Sequence, residues 1–144
     1  MRYIITAQPG PSSAPANPDA AFDEALFTKY MQFNEEMHKA GVLVAAEGLN
    51  PAGKGARVEV KQGRRTVVDG PFAESKELVG GFYIVEVASL DEAMQWALRC
   101  PSGLGFDDVL EIRPLTEESD IPPKLLELVK TVAPTWSATF TNRH

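Results

Sequence analysis

Two carboxylates stand where predicted strands end, and they are the side chains of this sequence best suited to acid–base chemistry. Glu47 follows the apolar run Leu43–Ala46, and Asp69 follows Val67 and Val68. A carboxylate at the end of an apolar strand is costly to bury unless it reaches water or a partner. If the two converge, their repulsion favours a shared proton and makes an acid–base pair. The alternative for Asp69 is structural, because Asp before Gly-Pro commonly accepts backbone amide hydrogens in a turn.

The segment that begins at Asp69 adds an aromatic ring and charges of both signs. Phe72 either anchors this loop in the core or stacks on a ligand. Glu74 and Lys76 are either solvated loop charges or ligand contacts. In the functional alternative, Lys76 neutralises Glu47 or Asp69, or binds an anionic group of a ligand.

Tyr30 is a further ligand-binding candidate, and it belongs to the clearest predicted helix. Apolar residues recur there at helical spacing, which indicates one buried stripe. The sequence places the start of this helix near Asn17 and Pro18 and its end at Gly41. Core packing is the default interpretation of Tyr30, but its hydroxyl still requires a partner, and a pocket wall would provide one.

The composition and the motifs argue against several classes of function. The net charge of −6 and a pI near 4.9 disfavour binding to nucleic acid or to an anionic membrane surface. His38, His144 and Cys100 are too far apart for a metal motif, and no nucleotide-binding pattern occurs, so we expect neither a metal nor a cofactor. No apolar run approaches the length of a membrane span. The single cysteine favours the reducing cytoplasm.

The order of predicted elements indicates the fold. A strand, a helix, a strand, a hairpin turning at Gln62-Gly63, a central strand, a second helix and a last strand follow one another to about Leu115. Two helices on one face of an antiparallel sheet form the ferredoxin-like α+β plan. Ser89 and Glu92 suit a capping box for the second helix, and we expect Leu90, Ala93, Ala97 and Cys100 on its buried side.

Two further expectations concern assembly. The central strands are apolar on both faces, so the face without helices also needs cover, and a homodimer packed sheet against sheet supplies it. Residues 1–115 form the predicted domain. Residues 116–144 form a C-terminal extension whose short helix and aromatic residues we expect to pack on the domain or on a partner subunit.

The stretch from Asp69 to Val87, "DGPFAESKELVGGFYIVEV", closely resembles the signature of the DGPF group within the YCII-related family. Matching segments stand in order along Met1–Leu115, including "RYIITA", "AGVLVAAEGLNP" and "LEIRPL". The resemblance implies a dimeric α-β barrel of ferredoxin-like subunits. In enzyme-like members, a His in the first helix and a nearby Asp are the proposed catalytic dyad. That His position falls near Tyr30 here, and Lys39 stands about where the Asp would be, so the chain departs from the dyad.

Two functions follow from these observations. The first is binding of a small molecule in a pocket near the DGPF loop, with weak acid–base activity carried by Glu47 and Asp69. The second is a non-catalytic dimeric interaction or regulatory module linked to the transcription machinery, in which the loop is a structural clasp. The departure from the dyad favours the second function, and the Pro-rich segment before the first helix, a candidate lid, favours the first. Neither assigns a reaction.

Overall fold

The computed structural model describes residues 1–9, 24–50, 55–68, 80–101 and 108–142. The chain divides into two compact units, Met1–Pro114 and Leu115–His144. The elements of the first unit are β1 (Arg2–Pro9), α1 (Glu24–Lys39), β2 (Leu43–Gly48), β3 (Arg57–Lys61), β4 (Arg64–Val68), β5 (Gly81–Glu86), α2 (Leu90–Leu98) and β6 (Asp108–Pro114). The second unit contains α3 (Pro123–Val132) and α4 (Pro134–Ser137), with 3-10 turns at Glu118–Asp120 and Ala138–Asn142.

The main sheet of the first unit is antiparallel and has the strand order β2-β5-β1-β6. With α1 and α2 as the connections of the β-α-β halves, this order is the ferredoxin-like α+β fold that the sequence predicts. The strand β5, apolar on both faces, is central as expected, because it pairs with β1 on one side and β2 on the other. The strands β3 and β4 form a separate two-stranded sheet.

Four strand termini meet at one end of the main sheet. Gly81 is in register with both Ala7 and Gly48, and Pro9 is in register with Asp108. The register therefore places the ends of β1 and β2 beside the starts of β5 and β6; we name this the Gly81 end. The strands approach closely there, since a Cβ on Gly81 would lie 3.0 Å from the Glu47 carbonyl oxygen.

Both helices cover the same face of the sheet. Phe33 and Met37 of α1 and Ala93 and Ala97 of α2 pack with buried sheet residues, among them Ile5, to form the core. The periodicity of α1 thus identified Leu26, Phe33 and Met37 as buried, whereas the predicted helix start near Asn17 and Pro18 lies outside the described residues. Leu90 contradicts the expectation for α2, because its side chain is 46% exposed. It is the first residue of the helix, so no earlier turn of α2 covers it.

The predicted signals at the end of α1, at the hairpin turn and at the start of α2 can be compared with the structure. Gly41 ends α1 in the left-handed region with φ at 75°, and Gln62 and Gly63 turn the hairpin with φ at 51° and 77°. At the start of α2, the Ser89 hydroxyl accepts the Glu92 amide hydrogen at 3.2 Å. The Glu92 carboxylate reaches one residue further back than a standard capping box and accepts from the Ala88 amide at 2.9 Å.

The face of the sheet away from the helices has an apolar centre. Tyr83 and Val85 of β5 face the helices, so Phe82 and Ile84 point the other way. Ile4 is in register with Ile84 across β1 and β5 and shares that face. Charged residues surround this centre: Arg2, Glu47, Glu86, Glu111 and Arg113.

The second unit is dominated by α3, whose exposed side carries Leu125, Leu128 and Val132. Trp136 and Phe140 contact each other edge to face with their ring centroids 4.6 Å apart. None of the helices in the described ranges is long and apolar enough to cross a membrane.

Candidate functional site

Tyr30 links the first half of α1 to the segment that follows α2. Its hydroxyl donates a hydrogen bond of 3.1 Å to the Pro101 carbonyl oxygen. The ring lies beside the buried stripe of α1 and is half-buried, which directs the hydroxyl toward the end of α2. The hydroxyl therefore has a backbone partner far away in sequence, as a partly buried phenol requires.

Tyr83 and Cys100 form a second polar contact in the same region. Tyr83 is the third residue of β5, and its ring meets the Phe33 ring edge to face at a centroid distance of 5.7 Å. Its hydroxyl is hydrogen-bonded to the Cys100 thiol. Cys100 packs against the core just beyond the end of α2. The contact holds the polar tip of Tyr83 within largely apolar surroundings.

Asp108 supplies the negative charge of this cluster. Burial raises the pKa of Tyr30 to about 12, and the charges of Cys100 and Asp108 contribute. Burial also raises the pKa of Cys100 to about 11 and that of Tyr83 above its usual range. Asp108 adds to the shift of Cys100, while the hydrogen bond from Tyr83 opposes it.

These shifts decide which chemistry the cluster supports. Tyr30, Tyr83 and Cys100 keep their protons at neutral pH, so they act as hydrogen-bond donors and not as bases or thiolate nucleophiles. Asp108 begins β6 at the Gly81 end and, within the described ranges, is the one carboxylate that contributes to the pKa shifts of Tyr30 and Cys100. The cluster of Tyr30, Tyr83, Cys100 and Asp108, which we name the tyrosine cluster, is suited to binding a polar molecule.

A chain of aromatic contacts supports the tyrosine cluster from the helix side. The Arg99 guanidinium carbon lies 4.5 Å from the centroid of the Trp96 ring, and the same side chain pairs with Glu36 of α1. Trp96 contacts Phe33 at a centroid distance of 6.3 Å, and Phe33 contacts Tyr83. Arg99 directly precedes Cys100, so the contacts of Arg99, Trp96 and Phe33 lead back to the tyrosine cluster. Together they hold the end of α2 against α1.

Asn34, one turn after Tyr30 on α1, carries an unusual polar atom. Its Oδ1 is buried and has no hydrogen-bond partner within the described part of the chain. An unsatisfied buried acceptor costs roughly 1–3 kcal/mol. The helix that bears Tyr30 therefore also holds an oxygen able to accept a hydrogen bond.

The predicted site residues are only partly described. Glu47 is exposed and in register with Phe82, which puts it on the face opposite to Tyr83. The structure therefore does not bring Glu47 together with Tyr30. Asp69, Phe72, Glu74 and Lys76 lie outside the described residues, so their convergence with Tyr30 or Glu47 stays a prediction.

Sequence reasoning missed Tyr83 and Asp108 and treated Cys100 as a packed residue. The available signal was positional, because Asp108 is the first residue of β6 and Tyr83 the third residue of β5, and both strands start at the Gly81 end. Periodicity alone marks Tyr83 as a core residue. His38 is exposed on α1, as expected for a surface position. Among the described residues, no group of His, Cys, Asp and Glu side chains is arranged to hold a metal ion.

A shallow surface depression lies on the solvent side of α1. Its lining includes Phe27, Met31, Glu35 and Glu36. Phe27 and Met31 are exposed, whereas the buried stripe of the helix runs through Phe33. The depression is thus on the side of α1 away from the core.

Comparison with known proteins adds a family. The family model of the YCII-related domain matches residues 1–119. An uncharacterized protein of Rhizobium meliloti (strain 1021) is 34% identical over 93 residues, which cover 65% of this chain and 75% of that protein.

A comparison of structures finds a similar chain with little sequence identity. It is the 5-chloro-2-hydroxyhydroquinone dehydrochlorinase TftG of Burkholderia phenoliruptrix AC1100, in complex with 2,5-dihydroxybenzoquinone. The TM-score is 0.46 and the sequence identity 12%, and the match covers 83% of this chain and 97% of that one.

Proposed function

This chain belongs to the YCII-related family, and we propose that it binds a small polar molecule at the Gly81 end of its sheet. The observation that carries the proposal is the tyrosine cluster. Two phenols and a thiol sit half-buried among apolar side chains, and burial holds all three in their protonated form. Polar groups are kept in such surroundings at a cost, and a ligand that donates to the hydroxyl oxygens of Tyr30 and Tyr83 or accepts from the Cys100 thiol offsets it.

The proposal favours binding over acid–base catalysis. A general base must be unprotonated at the working pH, and burial works against this for Tyr30, Tyr83 and Cys100. Asp108 is the carboxylate of the cluster, so any weak proton transfer would fall to it or to Asp69. The function is therefore recognition by neutral polar groups, with the Asp108 carboxylate available for a donor group of the ligand.

The DGPF segment completes the proposed site. We place the chain in the DGPF group on the motif Asp69–Phe72, and we assign Phe72, Glu74 and Lys76 to the rim of the pocket. Gly80 supports this, because its amide donates to the Ala7 carbonyl oxygen at 2.8 Å and so anchors the end of that segment at the Gly81 end.

Assembly is the second part of the proposal. The open sheet face has an apolar centre of Ile4, Phe82 and Ile84, and a second copy packed there would remove it from water. Glu47 then lies at the rim of the interface. The product is a homodimeric barrel of two ferredoxin-like subunits. We also propose that the protein is cytoplasmic, because the free thiol of Cys100 suits a reducing compartment.

A thermal-shift screen tests the binding proposal. Small acids, aldehydes and aromatic compounds are added to the wild type, to Tyr83→Phe and to Tyr3→Phe. Tyr3 is the matched control, because it is a buried phenol in register with Val85 and Pro114, away from the Gly81 end. A compound that stabilises the wild type and Tyr3→Phe, but stabilises Tyr83→Phe less than half as much, supports the site.

Two outcomes count against it. A screen in which no compound stabilises the wild type removes the support for binding. A compound that stabilises all three proteins equally binds elsewhere. Asp69→Asn extends the test to the rim, where we expect a reduced shift, and Glu47→Gln serves as its carboxylate control with an unchanged shift.

A further inference from the structure

The hairpin of β3 and β4 offers a second surface on which a partner could bind. Each strand pairs with the other, and among the described strands neither pairs with the main sheet. A two-stranded hairpin alone is at best marginally stable in water. Among the described residues, the outer edges of the hairpin have no strand partner, and such edges can pair with an added strand.

The side chains of the hairpin indicate what it contacts. Val58, Val60 and Val67 share one face and are each more than half exposed. The two strands carry four cations and one carboxylate, although the whole chain has a net charge of −6. An apolar face with basic neighbours is complementary to a partner that is acidic and apolar at once.

The strand β4 separates these two properties along its length. Its first residues, Arg64 and Arg65, are basic, and its last, Val67 and Val68, are apolar. Within the described residues, neither arginine is paired with a carboxylate. A strand lying antiparallel to β4 would therefore match it with apolar residues first and acidic residues last.

Charge argues against a second hairpin as the occupant. Pairing β4 with its own copy in antiparallel register would bring the arginines of one strand beside the valines of the other, and four arginines into one small sheet. Each arginine would then lie opposite an apolar side chain with no counter-charge, and basic edge residues are a known means of preventing such pairing. An acidic partner supplies the opposite charge that a second copy of β4 lacks.

We infer that the outer edge of β4 binds an extended peptide segment of another protein as a third, antiparallel strand. The segment has β-branched residues opposite Val67 and Val68 and carboxylates opposite Arg64 and Arg65. Main-chain hydrogen bonds supply affinity, and the order of apolar and acidic residues supplies specificity. This interaction surface is independent of the proposed small-molecule site.

The test is an NMR titration of the full-length chain with the synthetic peptide Ser-Val-Val-Thr-Glu-Glu-Ser. We expect saturable shifts and slower amide hydrogen exchange at residues 64–68. A peptide with Pro in place of Thr cannot donate at the centre of the ladder, and one with Lys in place of both Glu reverses the charge. We expect each of these two peptides to bind at least about ten-fold more weakly than the unmodified peptide, which is the effect of losing a few hydrogen bonds or exposed ion pairs.

Variants of the chain complete the experiment. Arg64→Glu/Arg65→Glu should weaken the peptide about ten-fold, and Lys124→Glu/Lys130→Glu, with the same charge change on exposed α3 positions, should not. Val67→Thr is a second test in case the arginine double variant does not fold. It keeps a β-branched residue in the strand and should weaken peptide binding several-fold. The inference would be overturned if the wild-type chain bound the Ser-Val-Val-Thr-Glu-Glu-Ser peptide without saturation, or bound the Pro peptide or a DNA duplex as tightly. It would also be overturned if the arginine double variant bound the peptide as tightly as the wild type does.

Discussion

The Tyr30 hydroxyl donates a 3.1 Å hydrogen bond to the carbonyl oxygen of Pro101, a residue 71 positions later in the chain. The bond joins the first half of α1 to the segment after α2 at the end of the sheet where four strand termini meet. Tyr83 and Cys100 form their hydrogen bond in the same region. The helix ends and the polar groups of the proposed site are therefore held by the same contacts.

Replacement of Tyr30 by Phe isolates this bond. The Pro101 carbonyl loses its donor while the ring stays, so we expect the free energy of unfolding to fall by about 1 kcal/mol. Tyr3→Phe is the control, because the one hydrogen-bond partner of the Tyr3 hydroxyl in the described part of the chain is the weak acceptor Met1 Sδ at 3.7 Å. Urea unfolding followed by circular dichroism measures both. An equal loss in the two variants would show that the bond to Pro101 contributes nothing specific.

Alkaline pH should destabilise the protein through Tyr30. Its pKa is raised from 10.0 to about 12 in the folded chain. The unfolded chain therefore releases this proton first as the pH rises, and the stabilisation is complete below pH 10 and lost between pH 10 and 12. Between pH 10 and 12, the free energy of unfolding should fall less steeply with pH in Tyr30→Phe than in the wild type. Parallel curves for the two proteins would contradict this.

Cys100 should alkylate slowly. Its pKa is raised from 9.0 to about 11, which lowers the thiolate fraction at pH 8 about 100-fold. The higher intrinsic nucleophilicity of a more basic thiolate offsets part of this, so we expect iodoacetamide to react about ten-fold more slowly than with the unfolded chain. Tyr83→Phe should slow it further, because the hydrogen bond from Tyr83 lowers this pKa. Mass spectrometry of timed samples gives the rates, and faster reaction in the folded chain would be incompatible with the environment described.

Phe33 should dominate the stability of the helix-covered core. Its ring is 5% exposed and contacts both Tyr83 and Trp96, so Phe33→Ala should cost roughly 3–5 kcal/mol. Phe27 on the same helix is 46% exposed, and Phe27→Ala should cost about 0.5 kcal/mol or less. Chemical unfolding compares the two. Similar losses would mean that the outer side of α1 is covered in solution.

The open sheet face predicts the oligomeric state. Light scattering at micromolar concentration should give twice the chain mass of 15.7 kDa. Ile84→Glu places a charge at the centre of that face and should yield a folded monomer. Leu98→Glu, on an exposed position of α2, should leave the mass unchanged. A wild-type mass equal to one chain would remove the proposed interface.

The fold was predictable because its signals are local and periodic. The stripe through Phe33 and Met37 identified α1, the left-handed pair Gln62-Gly63 fixed the hairpin, and apolar residues on both faces of β5 identified the central strand. Leu90 was misplaced because periodicity describes a face of a helix and does not show that the first residue of that face lacks a preceding turn to cover it.

The candidate site was less predictable because its members come together only through strand register. Tyr83 belongs to β5, Asp108 to β6 and Cys100 to the segment after α2, and each has an ordinary local interpretation. The sequence did place Tyr30 on a buried stripe and require a partner for its hydroxyl. It could not name Pro101, because that bond depends on how α1 and α2 lie on the sheet.

A crystal structure of the chain with a compound from the thermal-shift screen would locate the small-molecule site. We expect a bound molecule at the Gly81 end, with a polar atom within hydrogen-bond distance of the Tyr30 or Tyr83 hydroxyl. A molecule bound instead in the depression beside Phe27 and Met31, or on the open sheet face, would contradict it.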